Sequence, residues 1–234
     1  MIKKYIEASR NMKPLASGSN KECYVFDEVV LLKSPYYLND DDSIRVSKLD
    51  ALKNNGVNVC RVIERIILNN TEYELQEKAK GEELFNFRLS FTPAGQQKYL
   101  EILDSLSKQD IPFYEKFLED WNMILQMGFT IDPSKCTNFF YDGSNIVFID
   151  LNLTDNDENS NRNMLIRAGV VLRGGGLLWK CKDVYNEANE RIKIIYQKLG
   201  KAALKLGVDI DNFVSYFDSD GEYDLRNSIE TYNK

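Results

Sequence analysis

Apolar and polar positions follow one period in the first part of this chain and another in the rest, and the change falls close to residue 80. Residues 23–33 read CYVFDEVVLLK, two short β-branched and aromatic runs around the polar pair Asp27-Glu28, which predicts a β-hairpin. Ser17-Gly18-Ser19-Asn20 forms a loop just upstream. From 42 to 55 the apolar positions Ile44, Val46, Leu49 and Leu52 approximate helical spacing, and Asn54-Asn55-Gly56 supplies a stop. Residues 57–62 and 65–68 predict strands, Asn69-Asn70 a turn, and the alternation over 72–77 a further strand. The first eighty residues therefore read as a small sheet with one inserted helix.

Helical spacing dominates afterwards. Leu100, Leu103 and Leu106 mark a helix over 97–107, and Phe117, Trp121, Ile124 and Leu125 form one stripe of a second over 113–127. Residues 138–149 interrupt the series: two apolar runs flank Asp142-Gly143-Ser144-Asn145, a hairpin pattern. The polar, acidic stretch 154–163 predicts a mobile segment. Val184, Ala188, Ile192, Ile195 and Leu199 then define a helix over 183–206. No internal repeat or low-complexity tract is present. The expected fold class is α+β, with an N-terminal lobe over 1–80 and a mainly helical C-terminal lobe over 81–234.

Composition narrows the chemistry. The 234 residues contain no histidine, which excludes Ser-His-Asp and Cys-His relays, His-ligated metals and a histidine pH switch. Any proton acceptor is a carboxylate, lysine, tyrosine or thiolate. Cys23, Cys60, Cys136 and Cys181 are scattered without C-x-x-C spacing, so small buried thiols are expected in place of a zinc site or disulfide framework. Thirty basic against 36 acidic residues leave a net charge of −6, which disfavours a dedicated nucleic-acid binder. No apolar run is long enough for a membrane span, and the opening MIKKYIEASRNMK lacks the apolar core of a secretory signal. A cytoplasmic protein is expected, and nothing in that opening identifies a route of delivery into a host cell.

Four separated stretches carry the candidate chemistry. The first is Ser17-Gly18-Ser19-Asn20-Lys21 followed, across the hairpin, by Val29-Val30-Leu31-Leu32-Lys33. Residues 49–62 form the second, a helix entering a strand through Gly56-Val57-Asn58-Val59. The third is Leu75-Gln76-Glu77-Lys78-Ala79-Lys80-Gly81, a strand ending in a glycine turn. In the fourth, Gly128-Phe129-Thr130-Ile131-Asp132 leads through Asn138-Phe139-Phe140 and the hairpin to Val147-Phe148-Ile149-Asp150.

In this order the stretches, which span more than half the chain, resemble the protein-kinase-like fold, particularly its compact bacterial members and the aminoglycoside/choline phosphotransferase branch. The resemblance implies a two-lobed fold and an ATP- and Mg²⁺-dependent phosphotransferase that moves the γ-phosphoryl group to a hydroxyl-bearing acceptor, either protein or small molecule. It also implies roles for individual residues. Gly18, Ser19 and Asn20 would approach the nucleotide phosphates through backbone N–H groups, and Lys33 would meet the α/β-phosphates. Backbone groups near Glu77 and Ala79 would hydrogen-bond the adenine edge. Within the segment 130–150, Asp132 would act as the base for the acceptor hydroxyl, and Asn138 and Asp150 would hold Mg²⁺. The chemistry agrees, because Mg²⁺ takes hard oxygen ligands, commonly one or two carboxylates beside phosphate oxygens.

The chain departs from the family pattern in several places. Arg45 stands about where a helix glutamate, partner of the strand lysine, is expected. Thr130 replaces the histidine before the base aspartate, the spacing from Asp132 to Asn138 is one residue longer than usual, and Asp150-Leu151-Asn152 replaces D-F-G. These departures define the alternative, a catalytically impaired pseudokinase that regulates or binds a partner; an unrelated α+β interaction domain is the third reading. Elsewhere, Gly174-Gly175-Gly176 predicts a helix break, Asp40-Asp41-Asp42 a solvated helix start, and Asp218-Ser219-Asp220-Gly221 lacks the acidic spacing of a calcium loop.

Overall fold

The computed structural model describes residues 1–17, 21–35, 42–85, 92–133, 136–153, 163–175, 177–178, 181–218 and 224–230. It is an α+β protein, built as two compact units, Met1–Lys80 and Gly81–Lys234. The expected mobile stretch lies outside the described residues, apart from Asn163.

The first unit opens with helix α1 (Ile2–Ser9), which the sequence reading did not anticipate. Its signal is short: Ile2, Tyr5 and Ile6 at helical spacing. Five antiparallel strands follow, β1 (Ala16–Ser17), β2 (Glu22–Val25), β3 (Val29–Pro35), β4 (Val62–Leu68) and β5 (Thr71–Glu77), in the spatial order β1-β2-β3-β5-β4. Helix α2 (Asp42–Asn54) is inserted between β3 and β4. The β2-β3 hairpin closes with the Phe26 N–H donating to the Val29 carbonyl at 2.9 Å. At the β4-β5 turn Asn69 and Asn70 adopt φ of 51° and 57°, the left-handed pair that a two-residue hairpin loop needs and that asparagine tolerates. Residues 57–61, expected as a strand, are instead packed irregularly below α2. Val57, Val59 and Cys60 are buried there, and Lys53 Nζ donates to the Val59 carbonyl at 2.9 Å. Burial pushes the Cys60 thiol up to about 11, which makes it a poor nucleophile.

Alternation sorts the sheet into two faces. Tyr24, Val29, Leu31 and Leu75 project to one side, where Ile2 and Ile6 of α1 complete a buried cluster.

In the second unit, helix α3 (Pro93–Lys108) starts on Thr92, whose side chain accepts from the Gly95 N–H, and α4 (Ile111–Gln126) starts on Asp110, which accepts from the Phe113 N–H. These caps place both helix starts a few residues before the apolar stripe begins. Strand β6 (Glu82–Glu83) pairs with β8 (Phe139–Tyr141), which pairs with β9 (Ile146–Phe148); β7 (Phe129–Thr130) pairs with β10 (Asn152–Leu153). Helices α5 (Met164–Leu172), α6 (Tyr185–Lys205), α7 (Asp211–Asp218) and α8 (Leu225–Glu230) complete the unit. Helix α5 ends at Arg173-Gly174-Gly175, where both glycines have positive φ, so the glycine run does break a helix.

An aromatic cluster seats the β8-β9 hairpin on α4. Phe148 stacks on Phe117 at 5.7 Å, Phe139 stacks on Trp121 at 6.0 Å, and Phe139 meets Phe148 edge-on at 5.6 Å. All four rings are buried. Among the described residues no helix is long and apolar enough to cross a membrane.

Candidate functional site

Three candidate oxygen-bearing residues of the second unit, Asp132, Asn138 and Asp150, flank its short strands. In the β7-β10 pair Phe129 faces Leu153 and Thr130 faces Asn152. Two steps further along the same register lie Asp132 on one chain and Asp150 on the other. Between them and the strands sit Ile131 and Leu151, 3% and 6% exposed, which anchor the two loop entries in the core. In the β8-β9 pair Phe139 faces Phe148, and at the open end the Ile149 N–H donates to the Asn138 carbonyl at 3.0 Å. Asn138 therefore starts one strand of the hairpin while Asp150 leaves the other. Asp150 thus lies between β9 and β10, with Asn138 directly before β8 and Asp132 two residues beyond β7.

Asp150 has φ of 53°, a left-handed conformation uncommon for a residue with a side chain. Asn69 and Asn70 share it for the ordinary reason that they form a tight hairpin turn. Asp150 turns the chain from β9 toward β10, and its side chain is exposed. An exposed residue held in this uncommon backbone region is a candidate ligand-binding position.

The opposite end of the hairpin is structural. Asp142 Oδ1 accepts from the backbone N–H groups of Ser144 and Asn145 at 2.9 and 2.7 Å, closing the turn. These bonds help hold its carboxyl below the usual range against the opposing effect of burial. A cavity of about 370 Å³ adjoins this tip, lined by Leu84, Ile102, Ser105 and Tyr141 with Glu82, Glu101 and Lys98 at its rim.

In the first unit, Lys33 lies opposite Glu22 in the β2-β3 register, and its Nζ is 2.7 Å from Glu22 Oε2, which also accepts from the Tyr24 hydroxyl at 2.8 Å. The Lys33 bond holds the Glu22 carboxyl below its usual range, and the same bond raises Lys33. Arg45, at the position where the resemblance expects a glutamate, pairs with Glu74 of β5. Glu74 is 4% exposed and also accepts from Gln76 Nε2. Neither Glu22 nor Glu74 stands out in the sequence as a site residue. Glu22 could have been found by counting back across the hairpin from Lys33, whereas Glu74 emerges only from the packing of α2.

Glu77 ends β5 with its polar groups engaged. Its N–H donates to the Arg61 carbonyl at 2.9 Å, its carboxylate accepts from the Arg61 N–H at 3.1 Å and pairs with Lys53 at 3.2 Å. Ala79 is half-buried in the segment that follows. Gly18, Ser19 and Asn20 lie outside the described residues; Ser17 of β1 is paired with Glu22 of β2.

The donor set at the Asp150 end suits Mg²⁺: two carboxylates and an amide oxygen, all hard ligands, in a number that leaves coordination positions for phosphate oxygens. Among the described residues no group of three or more carboxylates and thiols gathers as a self-sufficient metal cage. No protein-family model and no curated protein matches the chain.

Proposed function

We propose that the chain is a kinase-like phosphotransferase that uses ATP and Mg²⁺ to phosphorylate a hydroxyl group on a protein or small molecule. The observation that carries this reading is the bond from the Ile149 N–H to the Asn138 carbonyl, which puts Asn138 and the residue leading into Asp150 at one end of the β8-β9 hairpin, with Asp132 two residues beyond β7. The strained backbone at Asp150 supports it. So does the order of the five-stranded sheet, with helix α2 between the third and fourth strands and Gly18 between the first two in sequence.

Asn138 and Asp150 would hold the metal, which would neutralise phosphate charge. Asp132 orients the acceptor hydroxyl and takes its proton as the oxygen bonds to the γ-phosphorus and the bond to the β-phosphate oxygen breaks. Positioning and charge neutralisation supply most of the acceleration in such reactions, so a chain without histidine is not disadvantaged. The test is transfer of labelled γ-phosphate to a panel of protein and small-molecule acceptors by the parent, Asp132→Asn and Asp150→Asn. Transfer by the parent that both substitutions reduce by at least a hundredfold supports the reading; equal transfer by all three removes it.

A second reading, a pseudokinase, is favoured by the charge arrangement of the first unit. Lys33 is engaged by Glu22, and the helix carries Arg45 in place of a carboxylate. Saturable Mg·ATP binding by the parent with no transfer to any acceptor would select it.

A further inference from the structure

Strand register assigns each charged side chain of the first unit to a face of the sheet. Glu22, Lys33 and Tyr73 are successive cross-strand neighbours, and they share a face with Tyr24, Leu31 and Leu75, the residues covered by α1. Leu32, Glu74 and Arg65 are the corresponding neighbours one residue away, so they occupy the other face. Arg45 reaches Glu74 on that second face. Lys33 and α2 are thus on opposite sides of one sheet, and the cation that α2 brings to its own side is an arginine.

The two faces differ in what they can still accept. The α1 side is filled along its middle, with Leu31 and Leu75 fully buried and Val29 7% exposed. On the other side Val30, Leu32, Ser34 and Gln76 are only half-buried. Glu74 is buried on that second face and Lys33 and Tyr73 are half-buried on the first, so the faces differ along the middle of the sheet, where a ligand would meet the α2 side, from which Lys33 is turned away.

Building on the phosphotransferase reading, we propose that Arg45, oriented by Glu74, is the cation that binds the nucleotide phosphates in this unit. The charge pair that the family divides between a helix carboxylate and a strand lysine is here exchanged: the carboxylate is on the strand and the cation on the helix. A guanidinium suits the task, since its planar fork binds phosphate oxygens in pairs and it remains charged at any physiological pH. Glu74, buried and receiving Gln76 as well, is the positioning residue.

The experiment measures Mg·ATP affinity by calorimetry on the full chain, with a urea midpoint for each protein, for the parent and Lys33→Gln, Arg45→Lys, Glu74→Gln and Glu74→Asp. Arg45→Lys keeps the charge and the tie to Glu74 but loses the fork, so it is expected to fold and to weaken binding at least tenfold. Lys33→Gln is expected to change affinity less than twofold, and Glu74→Asp to recover part of the affinity lost in Glu74→Gln. Tenfold weakening in Lys33→Gln with none in Arg45→Lys overturns the proposal in favour of Lys33. A lowered urea midpoint in the Arg45 and Glu74 variants with unchanged affinity overturns it in favour of a purely structural tie. A parent that binds no Mg·ATP refutes the phosphotransferase reading itself, a result distinct from either.

Discussion

Substitution of Asp150 separates backbone strain from ligand chemistry, because the residue is exposed while its φ is 53°. Among variants that all lack the carboxylate, the difference in stability is set mainly by how well each side chain accepts the left-handed region. That region costs an ordinary L-residue about 1–2 kcal/mol, asparagine and aspartate less, and glycine essentially nothing. Asp150→Ala is therefore expected to be about 1 kcal/mol less stable than Asp150→Gly, with Asp150→Asn between the two. Ligand chemistry predicts a different ranking. All three variants lack the carboxylate, so all three should lose at least tenfold in Mg²⁺-dependent ATP affinity, which is about 1.4 kcal/mol of binding free energy. Urea unfolding gives the first ranking and calorimetric titration in excess Mg²⁺ the second. Parent-like affinity in Asp150→Asn, or affinity that merely follows the stability ranking, would refute the assignment of Asp150 to the metal.

Other consequences concern the scaffold. Phe148 is 1% exposed and packs its ring against Phe117, Trp121 and Phe139, so Phe148→Ala should cost about 3–5 kcal/mol in urea unfolding and loosen the end that presents Asn138 and Asp150. A cost below 1 kcal/mol would contradict this anchoring. A Cβ added at Gly81 would lie 2.2 Å from the Tyr141 carbonyl oxygen at φ of +84°, and backbone cannot yield as a flexible side chain can. Gly81→Ala should thus destabilise by about 2 kcal/mol or more in thermal unfolding, whereas an unchanged melting temperature would show that the β6-β8 approach is looser than described. The Glu22–Lys33 pair predicts a pH signature. Glu22 is lowered below 4.5, so its contribution is present above that value and disappears as pH falls through the folded pKa. Lys33 is raised above 10.5, so its contribution is present below that value and disappears as pH rises through the folded pKa. Because the side chains are 37% and 40% exposed, the whole effect should stay below about 1 kcal/mol and shrink with salt. Urea midpoints of Glu22→Gln and parent should differ at neutral pH and converge at both extremes; a pH-independent gap would exclude the ion pair as its source.

The sequence was most readable where periodicity and turn chemistry agreed. Residues 23–33 alternate around a polar pair and form β2 and β3; Asn69-Asn70 demanded a tight turn and took left-handed φ at both positions. The hairpin after Asn138 was equally plain, since its aromatic runs flank a turn whose aspartate caps the two following N–H groups. Periodicity failed where tertiary burial set the structure. Val57, Val59 and Cys60 look like strand residues by composition, yet they are buried ahead of β4 with no more than an isolated bridge at Val59. Helices α1, α7 and α8 have only six to eight residues each, too few for an amphipathic pattern to stand out.

The candidate site divides along the same line. That Asn138 and Asp150 occupy the two chains of one hairpin could be read from spacing, because the intervening turn fixes the register. The pairing of β7 with β10, which brackets Asp132 and Asp150 in sequence, joins segments more than twenty residues apart through only two residues each and has no local signature. Likewise, no spacing reveals that Lys33 and Arg45 serve opposite faces of one sheet. That fact depends on a pairing register in which each single step turns a side chain to the other side.

Paramagnetic broadening by Mn²⁺·ATP, with Mn²⁺ in place of Mg²⁺, tests the central claim most directly through the backbone amide resonances of the second unit. Strands rise about 3.3 Å per residue, so the Asn138 and Asp150 end of the hairpin is separated from the 142–145 turn by about 10 Å, ample for a relaxation effect that falls steeply with distance. The account predicts the strongest nucleotide-dependent broadening at Asp132, Asn138 and Asp150, much weaker broadening at Gly143 and Ser144, and its loss in Asp150→Asn. Broadening centred elsewhere, or the same pattern in Asp150→Asn, would contradict it.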